Sequence, residues 1–209
     1  MTSYKTVKSE NSAEFVEKHS RFIGYCKPVT TEAEAIDFIN MIKKKHWDAR
    51  HNCYAYSLRA NQTKRYSDDG EPSCTAGMPI LDIINKSSVT DVVVVVTRYF
   101  GGILLGTGGL VRAYSQGCKI ALEAGGIVEM RLCSECVLRC PYTLYGKLNT
   151  LIIEKGGVID STDYADDVRL GFHIPTEDIP SLDKALADAT SGSLKTEIIG
   201  EKYFETDIF

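Results

Sequence analysis

Two stretches of this 209-residue chain concentrate the side chains that could do chemistry. The first runs Tyr66-Ser67-Asp68-Asp69-Gly70-Glu71-Pro72-Ser73-Cys74-Thr75-Ala76-Gly77-Met78-Pro79. Asp68, Asp69 and Glu71 place three carboxylates within four residues, just ahead of the hydroxyls of Ser73 and Thr75. Such oxygens could ligate Mg²⁺ or accept hydrogen bonds from a basic partner. The same residues also make ordinary local structure, because Asp-Gly favours a turn and Ser73 or Thr75 could cap a helix. Their spacing matches no metal-binding loop, so a Mg²⁺-dependent hydrolase acting on a phosphoester stands only as an alternative.

The second stretch is Arg98-Tyr99-Phe100-Gly101-Gly102-Ile103-Leu104-Leu105-Gly106-Thr107-Gly108-Gly109-Leu110-Val111-Arg112-Ala113-Tyr114. Five glycines between a strand and a helix put backbone N–H groups and a helix dipole where an anion could be cradled. Arg98 and Arg112 would flank that anion, and Tyr99, Phe100 or Tyr114 could stack on a base. No Gly-Lys-Ser/Thr follows, and the Rossmann spacing is missing, so ATP and NAD are poor fits and no cofactor is expected. The competing reading is that the glycines only permit tight turns and close helix packing.

Other polar residues carry less. Cys133, Cys136 and Cys140 lack a second ligand pair and alternate along a strand, as buried cysteines do. Cys74 has no base placed beside it by spacing. His51 in Ala49-Arg50-His51-Asn52-Cys53 reads equally as a site residue or as a cap at a strand start. His19, His46 and His173 fall on helix or strand faces where satisfied histidines are the rule. No catalytic residue and no metal ligand is assigned.

Composition narrows the classes. With 44% hydrophobic and 25% charged residues, the chain can bury a real core. The start MTSYKTVKSE is no secretory signal, and the longest strongly apolar run, Val92 to Val96, is far too short for a membrane span. A cytoplasmic protein with reduced thiols is expected from its seven scattered cysteines. Residues 1–132 hold 17 Lys and Arg against 14 Asp and Glu, a balance of +3, whereas residues 133–209 hold 7 against 14, a balance of −7. A polyanion would therefore meet the N-terminal part.

These motifs need elements to hold them, and the pattern changes character near Arg131. In the first part, Glu14 to Tyr25 reads as a strand and Thr31 to His46 as a helix capped by Thr31 with Glu34 three residues on. Asn52 to Leu58 and Thr63 to Ser67 read as strands around a polar turn. A short helix lies within Thr75 to Asn85 and is expected to start after Pro79. Asp91 to Tyr99 reads as a mid-sheet strand buried on both faces. Leu110 to Ala124 reads as a helix whose Gly117 allows close approach to the sheet. The second part gives a strand (Val137 to Pro141), a helix (Tyr142 to Lys155), two strands (Val158 to Tyr164, Asp167 to Ile174), a helix (Asp178 to Thr190) and a strand (Thr196 to Phe204). That βαββαβ order is ferredoxin-like.

At Asp68 to Gly77, Arg98 to Tyr114 and His51-Asn52-Cys53-Tyr54-Ala55-Tyr56, the sequence resembles the IMPACT/YigZ family over roughly residues 10 to 130. The resemblance implies an α+β protein: an N-terminal βα domain (1–132) like the second domain of ribosomal protein S5, and a ferredoxin-like C-terminal domain (133–209). That tail is similar to the last domain of elongation factor G in the bacterial branch. The family commonly has glycine where Cys74 stands, which weakens a role for the thiol. Eukaryotic relatives regulate translation through a ribosome-associated protein, but with a different extra domain, so that partner does not transfer. The resemblance therefore implies a non-catalytic protein that binds RNA, the ribosome or a ribosome-associated protein. DNA and membrane are not expected partners. A scaffold gripping a basic partner through the acidic tail is a further alternative.

Overall fold

The structure, a computed structural model, describes residues 3–206. The chain divides into two compact units, Tyr4–Glu129 and Met130–Thr206. After an opening strand β1 (Ser3–Val7), the first unit runs β2 (Asn11–Glu17), β3 (Ser20–Pro28), α1 (Glu32–Lys45), β4 (His51–Ser57), β5 (Lys64–Ser67), α2 (Gly77–Lys86), β6 (Val92–Tyr99) and α3 (Thr107–Gly125). Its sheet has the order β2-β3-β6-β4-β5, with antiparallel pairs throughout.

The valine run sits in the middle strand. Val92 to Val96 are all 0% exposed because the pleat sends alternate residues to opposite cores. Val92, Val94 and Val96 join the core with Ile80, Ile84, Leu110 and Tyr114 from α2 and α3. Val93 and Val95 join Phe38, Ile39 and Ile42 of α1. Thr31 caps α1, and Glu34 returns the bond to the Thr31 backbone in a complete capping box.

Two expectations need correcting here. Glu14 to Tyr25 is not one strand but the hairpin β2–β3, turned by Lys18 (φ 44°) and His19 (φ 64°). Two successive left-handed residues suit the strand twist, but Lys-His lacks the Asn-Gly signature that announces such a turn. Helix α2 begins at Gly77, ahead of Pro79. Proline is tolerated there because first-turn N–H groups have no intrahelical acceptor to lose.

The second unit carries most of β7 (Ile127–Cys140), then α4 (Tyr142–Glu154), β8 (Val158–Tyr164), β9 (Val168–Pro175), α5 (Ile179–Thr190) and β10 (Glu197–Thr206). The pairing β10-β7-β9-β8 puts the fourth strand beside the first and the third beside the second, which is the ferredoxin-like order. Leu138, Leu170 and Phe172 of the sheet pack on Leu148, Ile152, Leu182 and Leu186 of the helices. Strand β7 starts well before the expected Val137, since its first six residues are only half-buried and carry no clear alternation. The chain is thus α+β, a βα unit followed by a ferredoxin-like unit.

Candidate functional site

The acidic loop between β5 and α2 spends its carboxylates on its own architecture. Asp68 accepts from the backbone N–H groups of Cys74 (2.9 Å), Ala76 (3.0 Å) and Gly77 (2.9 Å), and so closes the start of α2 that no neighbouring hydroxyl caps. Asp69 accepts from Lys43 Nζ and from the Asn52 backbone N–H, both at 2.7 Å. Glu71 turns inward. Its Oε1 lies 2.6 Å from Arg98 and accepts from the Tyr114 hydroxyl at 2.8 Å. Three carboxylates that are neighbours in sequence therefore face three different partners, and the metal reading loses the convergence it needs. Among the described residues no group of three or more His, Cys, Asp or Glu side chains could hold a metal ion.

The two motifs meet at Glu71, and this changes what Arg98 and Tyr114 can do. Arg98 is 5% exposed and Tyr114 is 0% exposed, so neither presents itself to an external anion or base. Burial, followed by the nearby Cys53 and Glu71, pushes the Tyr114 hydroxyl far above its usual range and keeps it a neutral donor. His51 donates from Nδ1 to the Asp69 carbonyl oxygen at 2.8 Å, while its Nε2 stands 3.9 Å from Glu71, too far for a hydrogen bond. Thr75 is buried and donates to the Pro72 carbonyl at 2.6 Å, whereas Ser73 stays exposed.

The glycines divide between packing and exposure. A Cβ on Gly101 would lie 2.0 Å from the His19 carbonyl carbon, and one on Gly109 would lie 2.9 Å from Leu105 Cβ, so both are packing glycines. Gly102 (φ 87°) and Gly106 (φ 72°) face open space and are needed for their left-handed backbone. Gly106 precedes α3, where no side chain caps the first N–H groups. A Cβ on Gly108 would meet only the Arg112 guanidinium, at 3.9 Å. Arg112 is exposed and leans over that helix start. Phe100, 41% exposed, lies within 5.8 Å of the Arg50 guanidinium and 5.5 Å of Arg98.

Residues 18–122 match the Impact N-terminal domain, and residues 138–193 match a domain of unknown function, DUF1949. The IMPACT family member YvyE of Bacillus subtilis is 39% identical over 191 residues, covering 91% of this chain and 88% of the relative. The chain belongs to the IMPACT family. Escherichia coli YigZ, another family member, is 37% identical over 88% of this chain and 92% of its own length. A crystal structure of a hypothetical protein superposes with a TM-score of 0.61 at 34% identity, covering 96% of this chain and 98% of that one. Protein IMPACT of Xenopus laevis matches only 43% of this IMPACT chain at 33% identity, and that match is 30% of the frog protein.

The IMPACT domain also holds site features that the sequence reading passed over. A groove of about 600 Å³ runs beside α3 and is lined in part by Phe15, Leu105 and Val111 and by the cations Lys18, Arg112 and Lys119. Lys18 belongs to the hairpin turn that no Asn-Gly announces, and Lys119 is one exposed lysine on α3 with no motif to mark it. Trp47, the one tryptophan, is 84% exposed in the loop after α1. An isolated aromatic beyond a helix end has no periodicity to mark it. All seven cysteines are free thiols, and Cys74 alone is exposed. Burial raises the Cys26 and Cys136 thiols to about 11, away from nucleophilic use.

Proposed function

We propose that this IMPACT-family chain is a non-catalytic binding protein of the translation apparatus, meeting RNA or a ribosome-associated surface through its first unit. The observation that carries this reading is the uncapped start of α3, with exposed Gly106 to Gly108 under the Arg112 guanidinium. Free N–H groups, a helix dipole and an exposed cation together favour an anion such as phosphate. Lys18 and Lys119 add further cations to the adjacent groove, whose lining also holds Glu17. The charge split supports the same side of the chain, +3 before residue 133 and −7 after it. Arg98 serves this reading only indirectly, by anchoring the loop from inside. No helix among the described residues is long and apolar enough to cross a membrane.

Sedimentation with ribosomes at graded salt tests the proposal. Retention in ribosomal fractions should fade as salt rises, and Arg112→Ala should flatten the log–log salt dependence by about one unit. A protein that stays free of ribosomes and RNA even at low salt would overturn it.

A further inference from the structure

We infer that Trp47, with Phe100 and Arg50, forms a stacking platform for unpaired bases of an RNA. The inference rests on the RNA-binding reading above and gives that partner a single-stranded chemistry. Trp47 is 84% exposed and so keeps the largest apolar surface of any side chain out of the core, and tryptophan is a residue type enriched at interfaces. The loop is also held in place on both sides of the ring. His46 caps α1 through its N–H to the Ile42 carbonyl. Its imidazole is bonded to Tyr25 at 2.7 Å and to the Tyr99 hydroxyl at 2.9 Å, and Tyr99 donates its proton to Asp48 at 2.9 Å. One hydroxyl thus fastens both neighbours of Trp47 to the end of β6, and Phe100 is the next residue along.

The surroundings favour nucleic acid. Arg50 lies 5.8 Å from the centre of the exposed Phe100 ring, a planar cation beside a planar aromatic. Lys44 and Lys45 are exposed on the last turn of α1. Asp48, next to Trp47, accepts from the Tyr99 hydroxyl and is outnumbered there by the exposed Lys44, Lys45 and Arg50. Aromatic faces offer sequence-tolerant stacking to any base, and the cations track the phosphates between them. An acidic peptide would use the cations but leave the flat faces idle.

Trp47 is the sole tryptophan, so its emission reports this site alone. An unstructured oligouridine of about ten nucleotides should quench it at low salt, and an RNA duplex of equal length should not. Trp47→Ala, at a solvent-facing position that leaves His46 and Asp48 in place, should weaken oligouridine binding about 5- to 100-fold without changing the salt slope. Trp47→Phe should bind within about threefold of the parent, since it keeps a stacking face. If oligouridine binds with a normal salt slope while Trp47 emission is silent and Trp47→Ala binds equally well, the platform is wrong and the RNA reading stands. Emission that shifts with phosphatidylglycerol vesicles but not with RNA would assign the patch to lipid and overturn the inference. Absence of any RNA binding by the parent protein would remove the reading on which it rests, and the inference with it.

Discussion

The Glu71 carboxylate takes an ion pair from Arg98 and a hydroxyl bond from Tyr114, with all three side chains out of water. Removing the acid would leave a buried guanidinium without its counter-charge. Glu71→Ala is therefore expected to cost about 3–5 kcal/mol in urea denaturation. Pairing it with Arg98→Met should recover part of that loss, because the orphaned charge goes too. His46 gives a pH test. Burial, assisted by Lys45, holds its imidazole below the usual 6.5. The unfolded chain then takes up the proton first, so this group leaves stability intact above about pH 6.5 and erodes it as pH falls below that value. Urea midpoints between pH 7.5 and 5.5 should fall more steeply for the parent than for His46→Gln.

Helix α3 can reach the sheet only because glycine stands on both sides of the contact. A Cβ on Gly24 of β3 would lie 2.1 Å from the Gly117 carbonyl oxygen, and one on Gly117 would lie 2.8 Å from Val96 Cγ1. Backbone cannot swing aside as a long side chain can, so Gly24→Ala should destabilise by at least about 1–3 kcal/mol. Gly146 in α4 provides the opposite case, since nothing stands within 4 Å of its would-be Cβ. Gly146→Ala should raise stability by about 0.5–1 kcal/mol, read by the same denaturation curves. The distance between α3 and β6 also sets where Arg112 stands, because one helix carries both the packing glycine and the exposed cation.

Across the whole chain, the positive balance lies in the first unit and the acidic one in the second. On the proposed function, salt dependence of ribosome association should respond to cations of the first unit alone. In the 209-residue chain Arg139→Ala, an exposed position in β7, should leave the salt slope unchanged, whereas Arg112→Ala lowers it. Equal loss from both substitutions would place the contact across the chain and not in the first unit.

Element identity was legible wherever local rules act strongly. The capping box at Thr31, the five valines of β6 and the βαββαβ order of the second unit all follow from spacing and neighbouring residues. The β2–β3 turn was hidden because Lys-His adopts by context a geometry that Asn-Gly adopts by preference. Both motifs were conspicuous in sequence, but the division of labour within them was not. Glu71 lies 27 residues from Arg98 and 43 from Tyr114, so no local pattern states that they meet. The sequence by itself determined which segments become strands and helices and where the unusual chemistry is concentrated. Only the tertiary structure decided which arginine is buried and which exposed, because exposure depends on what the rest of the chain packs over each side chain.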